Sequence, residues 1–154
     1  MSINVVLFEP EIPQNTGNIA RTCACTGATL HLVEPMGFRL TKHFVGRSGM
    51  DYWDRVNVVR WSCTKEFLEA HGHDDLHLFT SHTTHVYSEA TYADDTYLIF
   101  GRESRGIDTD ILTTYQSSCV RIPMAEGNRS LNLSNSVAIG VYEVLRGSAF
   151  KGIS

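Results

Sequence analysis

Residues Val120–Arg146 read VRIPMAEGNRSLNLSNSVAIGVYEVLR. Val120–Ile122 is β-branched and apolar, a polar loop follows, and Asn135–Arg146 returns to apolar residues at helical spacing. Strand, loop and helix in that order make half of a βαβ unit. In the helix Val137, Ala138, Val141 and Leu145 form one stripe at i, i+1, i+4 and i+8. Gly140 sits inside it, at about 1 kcal/mol against alanine, and such a glycine often marks close approach of another backbone. The loop GNRSLNLSNS, Gly127–Ser136, contains three asparagines and three serines. Such residues favour caps and turns because they compete with the backbone for hydrogen bonds. Ser134 or Asn135 alone suffices to cap the helix, so the others are surplus to capping.

Moving outward, the same alternation recurs. Strands are predicted at Ile3–Phe8, Thr29–Val33, Val56–Arg60, Leu76–Ser81, Tyr97–Phe100 and Val120–Ile122. Helices are predicted at Thr16–Cys25, Thr41–Ser48, Thr64–Ala70, Thr109–Tyr115 and Asn135–Arg146. Alternating strands and helices imply an α/β fold: a mostly parallel sheet with helices on both faces. The first and fifth strands are near-continuous apolar runs, as strands covered on both faces must be. Gly27 and Gly147 follow helices as stop signals, and Asp108 is placed to cap DTDILTTY. There is no internal repeat or linker-like tract, so residues 1–154 read as a single domain.

Composition bounds the function. The chain has 154 residues, 42% hydrophobic and 19% charged, which suits a water-soluble globular domain. No apolar run reaches the roughly 20 residues of a membrane helix. The start MSINVVLFEPEIP lacks a signal peptide's basic segment, which makes the cytoplasm the expected compartment. Cys23, Cys25, Cys63 and Cys119 form no CxxC pair and read as reduced thiols. His71 with His73, and His82 with His85, lack matching carboxylates and read as solvated loop residues, so no metal site is expected. The formal net charge is −4, which disfavours non-specific nucleic-acid binding. Charge is uneven, however. Residues 66–110 hold ten acids against two arginines, whereas residues 21–61 hold six basic residues against three acids. A local basic surface is therefore open to an RNA partner.

Ligands in open α/β sheets sit beyond the carboxyl ends of the strands. Three loops there are unusual: EPEIPQNTGNIART after the first strand, GRESRGID after the fifth, and GNRSLNLSNS after the sixth. In the first, Asn15 or Thr16 can cap the helix, which places Arg21 about one turn inside it and within reach of an anionic group. The second lacks the GK[ST] ending of a P-loop, and the chain has no GxGxxG. Gly101 and Gly106 still allow a ligand to approach the backbone. The serines of the third loop lack a G-x-S-x-G context, which argues against a hydrolase triad.

Taken together, NVVLFEPEIPQNTGNIART, YLIFGRESRGI and VRIPMAEGNRSLNLSNSVAIGVYEVLR resemble the three motifs of the SPOUT methyltransferase superfamily, most closely its minimal YibK-type subgroup. The resemblance implies a deep C-terminal trefoil knot, a homodimer, S-adenosylmethionine as methyl donor and a tRNA ribose 2'-hydroxyl at wobble position 34 as acceptor. Neither a membrane nor DNA is an expected partner. By matching position, backbone groups of Phe79, Thr80, Gly101, Glu103, Gly106, Ile122, Met124, Ser130 and Leu131 hold the cofactor. Arg21 matches the catalytic arginine, with Asn15 and Asn132 as supporting polar residues. Tyr142 matches a tyrosine linked to tRNA handling. Arg102 departs from the pattern, since relatives often carry proline there. On charge alone, Arg39, Lys42 and Arg47 are candidates for RNA contact. Leu131 and Leu133 are expected to anchor the third loop in apolar surroundings. Arginine is an awkward base because guanidinium stays protonated, so Arg21 is expected to orient and stabilise charge. Two rivals remain. One is methylation of another tRNA or rRNA ribose. The other is a non-catalytic nucleotide-binding α/β module.

Overall fold

The structure is a computed structural model that describes residues 1–40 and 53–154. The elements in chain order are β1 Ser2–Phe8, α1 Pro13–Thr26, β2 Thr29–Val33, β3 Val58–Trp61, α2 Thr64–His71, β4 Asp75–Phe79, β5 Asp95–Phe100, α3 Thr109–Thr114, β6 Cys119–Val120 and α4 Leu133–Gly147. The helix expected at Thr41–Ser48, together with Lys42 and Arg47, lies outside the described residues.

All strand pairs are parallel, in the order β3-β2-β1-β5-β4-β6. The two central strands follow directly from composition. INVVLF of β1 and TYLIF of β5 are buried on both faces, as a helix-covered parallel sheet requires. Successive side chains point to opposite faces, so Val5 and Leu7 join one core while Val6 and Phe8 join the other. The first core packs Ile19, Ala20 and Cys23 of α1 and Val137, Val141 and Val144 of α4 against Leu98 and Phe100. The second packs Phe67 of α2, with Ile111 and Leu112 of α3 at its margin, against Leu78 and Ile99.

Several boundaries differ from the sequence reading. β3 begins at Val58 because Val56 closes a turn back to Trp53. β4 ends at Phe79, and β6 is only two residues long, so Ser81 and Ile122 belong to loops. α1 starts at Pro13, with Asn15 and Thr16 already inside it; proline is well suited to a first helical position. Asp108 precedes α3 but makes no capping bond, since its carboxylate meets the Arg102 guanidinium. Gly147 is the last residue of α4 rather than its successor. Gly27 does terminate α1 in the left-handed region, φ 77°.

A polar chain crosses the α2 face. The Trp61 indole N–H donates to His31 Nδ1 at 3.0 Å, and His31 Nε2 lies 3.0 Å from Asn4 Oδ1. Indole nitrogen only donates, so Nδ1 must accept and Nε2 must carry the proton. Burial, with His71 adding a smaller repulsion, pushes His31 down to about 4.

Candidate active site

Strand order turns at β1 and β5. From β1 the chain moves outward to β2 and β3, whereas β5 adjoins β4 and then β6. Loops leaving the carboxyl ends of such neighbours diverge and leave a crevice between them. A cavity of about 570 Å³ lies there, within the size range of small-molecule sites. It is lined by residues as distant in sequence as Ile12 and Ser136.

All nine positions carried over for the cofactor line this cavity: Phe79, Thr80, Gly101, Glu103, Gly106, Ile122, Met124, Ser130 and Leu131. Asn15 and Asn132 line it as well. Phe79 and Phe100 stack with ring centroids 4.6 Å apart and form part of the apolar wall. Gly140 accommodates that stack, since a Cβ there would lie 3.0 Å from Phe79 Cζ. The close approach expected at Gly140 is thus to a ring rather than to another backbone. Leu133 packs on the first core as expected, whereas Leu131 is 39% exposed and lines the cavity rather than joining either core.

The turn after β5 closes on itself. Arg102 N–H donates to Gly106 O at 3.2 Å, and Gly106 N–H donates to Arg102 O at 2.8 Å. A Cβ on Gly101 would overlap the backbone of Gly106 and Ile107, and Gly106 has φ 68°. Both positions therefore demand glycine. Arg102 does not project a loose charge at the cavity mouth. Its guanidinium lies against Asp108 and 3.9 Å from Glu9.

Side-chain hydrogen bonds join the three loops. Glu103 accepts the N–H groups of Glu11 at 2.8 Å and Ile12 at 3.1 Å, just ahead of α1. A carboxylate suits the exposed donors and positive dipole end of a helix start, so α1 is capped by a residue from another loop. Asn15 Nδ2 donates to the same carboxylate at 3.4 Å, and Asn132 Nδ2 donates to Asn15 Oδ1 at 3.1 Å. Asn132 is also the N-cap of α4. Its Oδ1 accepts the N–H of Ser134 at 2.9 Å and of Asn135 at 3.3 Å. The cap is therefore Asn132, not Ser134 or Asn135.

Arg21 stands apart. Because α1 begins at Pro13, Arg21 is about two turns inside rather than one, on the exposed side of the helix. It is not among the described residues that line the cavity. Tyr142 is exposed on α4, and Arg39 is exposed after β2. Sequence reasoning missed Ile12, His82, Arg105 and Arg129, which also line the cavity. Adjacency to the motifs was the available signal. From the sequence His82 reads only as half of a histidine pair, and among the described residues no cluster suited to a metal ion is found.

Fold and site together define an α/β domain with a ligand cavity at the switch point of a parallel sheet. A family model, the SpoU rRNA methylase family, matches residues 2–142. The tRNA (cytidine(34)-2'-O)-methyltransferase of Escherichia coli K12 is 44% identical over 151 residues, covering 97% of this chain and 96% of that one. A solved structure described as giving insight into the 2-OH methylation of C/U34 on tRNA aligns with TM-score 0.90 and 37% identity, covering 97% and 98%. The AdoMet-bound rRNA methyltransferase of Sinorhizobium meliloti aligns with TM-score 0.84 at 24% identity, covering 95% of this chain and 56% of that one, a likeness of fold. The chain belongs to the SpoU methylase family.

Proposed function

We propose that the chain transfers a methyl group from S-adenosylmethionine to the ribose 2'-hydroxyl of nucleotide 34, a cytidine or modified uridine, in tRNA. The observation that carries this reading is the convergence of all nine carried-over cofactor positions, with Asn15 and Asn132, on one cavity. Full-length likeness to the E. coli enzyme supports the substrate.

The cavity suits the donor. Phe79, Phe100, Ile122 and Met124 offer apolar walls, and Gly101 and Gly106 place the two ends of a tight turn at the cavity lining. S-adenosylmethionine supplies an electrophilic methyl group when bound. The protein's part is positioning for an in-line displacement. Asn132 Oδ1 is consumed by the helix cap and one Nδ2 hydrogen by Asn15. Toward substrate the side chain can therefore only donate, through its second amide hydrogen. Such a donor stabilises negative charge developing on the ribose oxygen. Arg21 holds the RNA backbone beside that oxygen. Its place outside the cavity lining supports a homodimer in which Arg21 serves substrate seated on a second copy.

Residues 1–154 form one methyltransferase domain that works in the cytoplasm, where its substrate is found. Its C-terminal segment carries the trefoil knot. Supporting the knot, β6 lies at the sheet edge beyond β4, yet α4 packs back on α1, β1 and β5. On the way, Arg121 is bonded to both His85 and Tyr87 of the β4–β5 connection. Tyr142, Arg39 and Arg47 contact tRNA. The test is incubation with labelled S-adenosylmethionine and unmodified total tRNA, followed by nuclease digestion and mass spectrometry. A 2'-O-methyl nucleoside at position 34 is expected. A product at another ribose would move the reading to the rival substrate class, and none at all would end it.

A further inference from the structure

We propose that Glu11 is a positioning residue for cofactor binding that acts through Ser104, an assignment that rests on the S-adenosylmethionine reading above. The Glu11 carboxylate accepts the Ser104 N–H at 2.9 Å and its hydroxyl at 2.8 and 3.0 Å. In the opposite direction, Glu103 accepts the Glu11 and Ile12 N–H groups. Each carboxylate thus reaches across from its own loop to donors on the other, and the two loops are latched at adjacent points. Hydrogen bonds from the Ser104 N–H and hydroxyl hold the Glu11 carboxyl below its usual value against a weaker opposing effect of burial, and the charges of Arg102 and Arg105 each add less. The acceptor is therefore ionised at neutral pH, and such charge-assisted bonds are stronger than neutral ones.

The latch matters because of what it restrains. Within the turn, the backbone pairing is between Arg102 and Gly106 alone, and residues 103–105 make no backbone–backbone bond among the described residues. The tip nevertheless walls the cavity through Glu103, Ser104 and Arg105. Glu11 is not among the described lining residues, so its effect on a ligand runs through the turn. Releasing the tip leaves the wall to be ordered when ligand binds, and that ordering is subtracted from affinity.

The test uses Glu11→Ala, Ser104→Ala, the double variant and Ser104→Thr, which retains both donors. Calorimetry with S-adenosylmethionine is paired with amide hydrogen exchange on the ligand-free protein. Each alanine variant is expected to bind about three- to tenfold more weakly, consistent with loss of one or two hydrogen bonds. The double variant should be no weaker than the worse single one, and Ser104→Thr should bind like wild type. Faster exchange should be confined to residues 103–106, with KM for tRNA unchanged. Additive losses, wild-type affinity in Glu11→Ala, or exchange accelerated throughout the chain would each overturn the proposal. Failure of the wild-type protein to bind S-adenosylmethionine would instead overturn the functional reading, and the exchange data would still decide whether the latch exists.

Discussion

Asn132 carries two separable tasks, and two substitutions pull them apart. Its Oδ1 caps α4, while its Nδ2 donates to Asn15. Asn132→Ala removes both. A lost cap is worth about 1 kcal/mol and a lost hydrogen bond about another 1 kcal/mol. The total of about 2 kcal/mol corresponds to a fall in Tm of roughly 4–8 °C for a chain of this size. Asn132→Asp keeps an oxygen at the cap and places negative charge at a helix start, worth about 0.3–1 kcal/mol. That gain offsets part of the lost donor, so the fall in Tm should be smaller than in Asn132→Ala. The hydrogen-bond chain is still broken. Asn15 has Glu103 on one side and would now face a second carboxylate on the other. With Nδ2 toward Glu103, its Oδ1 opposes the introduced carboxylate. Turned over, Oδ1 opposes Glu103. The reaction also loses its amide donor, so kcat should fall roughly 10²-fold in both variants, the scale of a deleted oxyanion donor. Thermal melts and single-turnover methyl transfer are the assays. An Asn132→Asp protein with wild-type kcat would refute the donor role, and one as unstable as Asn132→Ala would refute the cap.

His31 has its folded value pushed down to about 4 from 6.5, so the unfolded chain binds the proton first. Stability is then full above pH 6.5 and falls toward pH 4, by roughly 2 kcal/mol between pH 8 and pH 5. Urea unfolding should show that loss in wild type and not in His31→Gln, which keeps an acceptor for Trp61 and a donor for Asn4; equal losses would count against it. Gly140→Ala gains about 1 kcal/mol of helix propensity, but its methyl would press on Phe79 from 3.0 Å. Calorimetry should show weaker S-adenosylmethionine binding with little change in Tm. Arg21→Lys should lower kcat without altering cofactor affinity, because lysine lacks the planar fork; near-wild-type turnover would argue against bidentate positioning.

What the sequence revealed depended on how local the cause was. β1 and β5 were legible because burial on both faces demands uninterrupted apolar residues. The end of α1 was legible because Gly27 has a local reason to be glycine. The start of α1 had a local signal in Pro13, but its capping partner did not, because Glu103 is about ninety residues away. The α4 cap was misplaced for a local reason: the helix begins at Leu133 rather than Asn135, so the cap falls on Asn132, one of several short polar residues in a row that could each serve. The cofactor positions came from resemblance, and the cavity brings them together. Arg21 came from the same resemblance, yet it is not among the described residues that line the cavity. Its neighbours Ile19, Ala20 and Cys23 take the buried face of α1, which leaves Arg21 on the exposed one.

The register of the sheet also dictates the order in which the chain can assemble. Ser2 lies opposite Asp95 and Leu7 opposite Phe100, so β1 cannot acquire its second neighbour until β5 has been made. At ribosomal speeds of about 5–20 residues per second, that interval is roughly 5–20 s. Throughout it, one side of an apolar strand waits unpaired, an edge that invites association with other chains. The nascent protein is therefore most exposed to aggregation before β5 is made, and a chaperone that shields its first eight residues would help most in that interval.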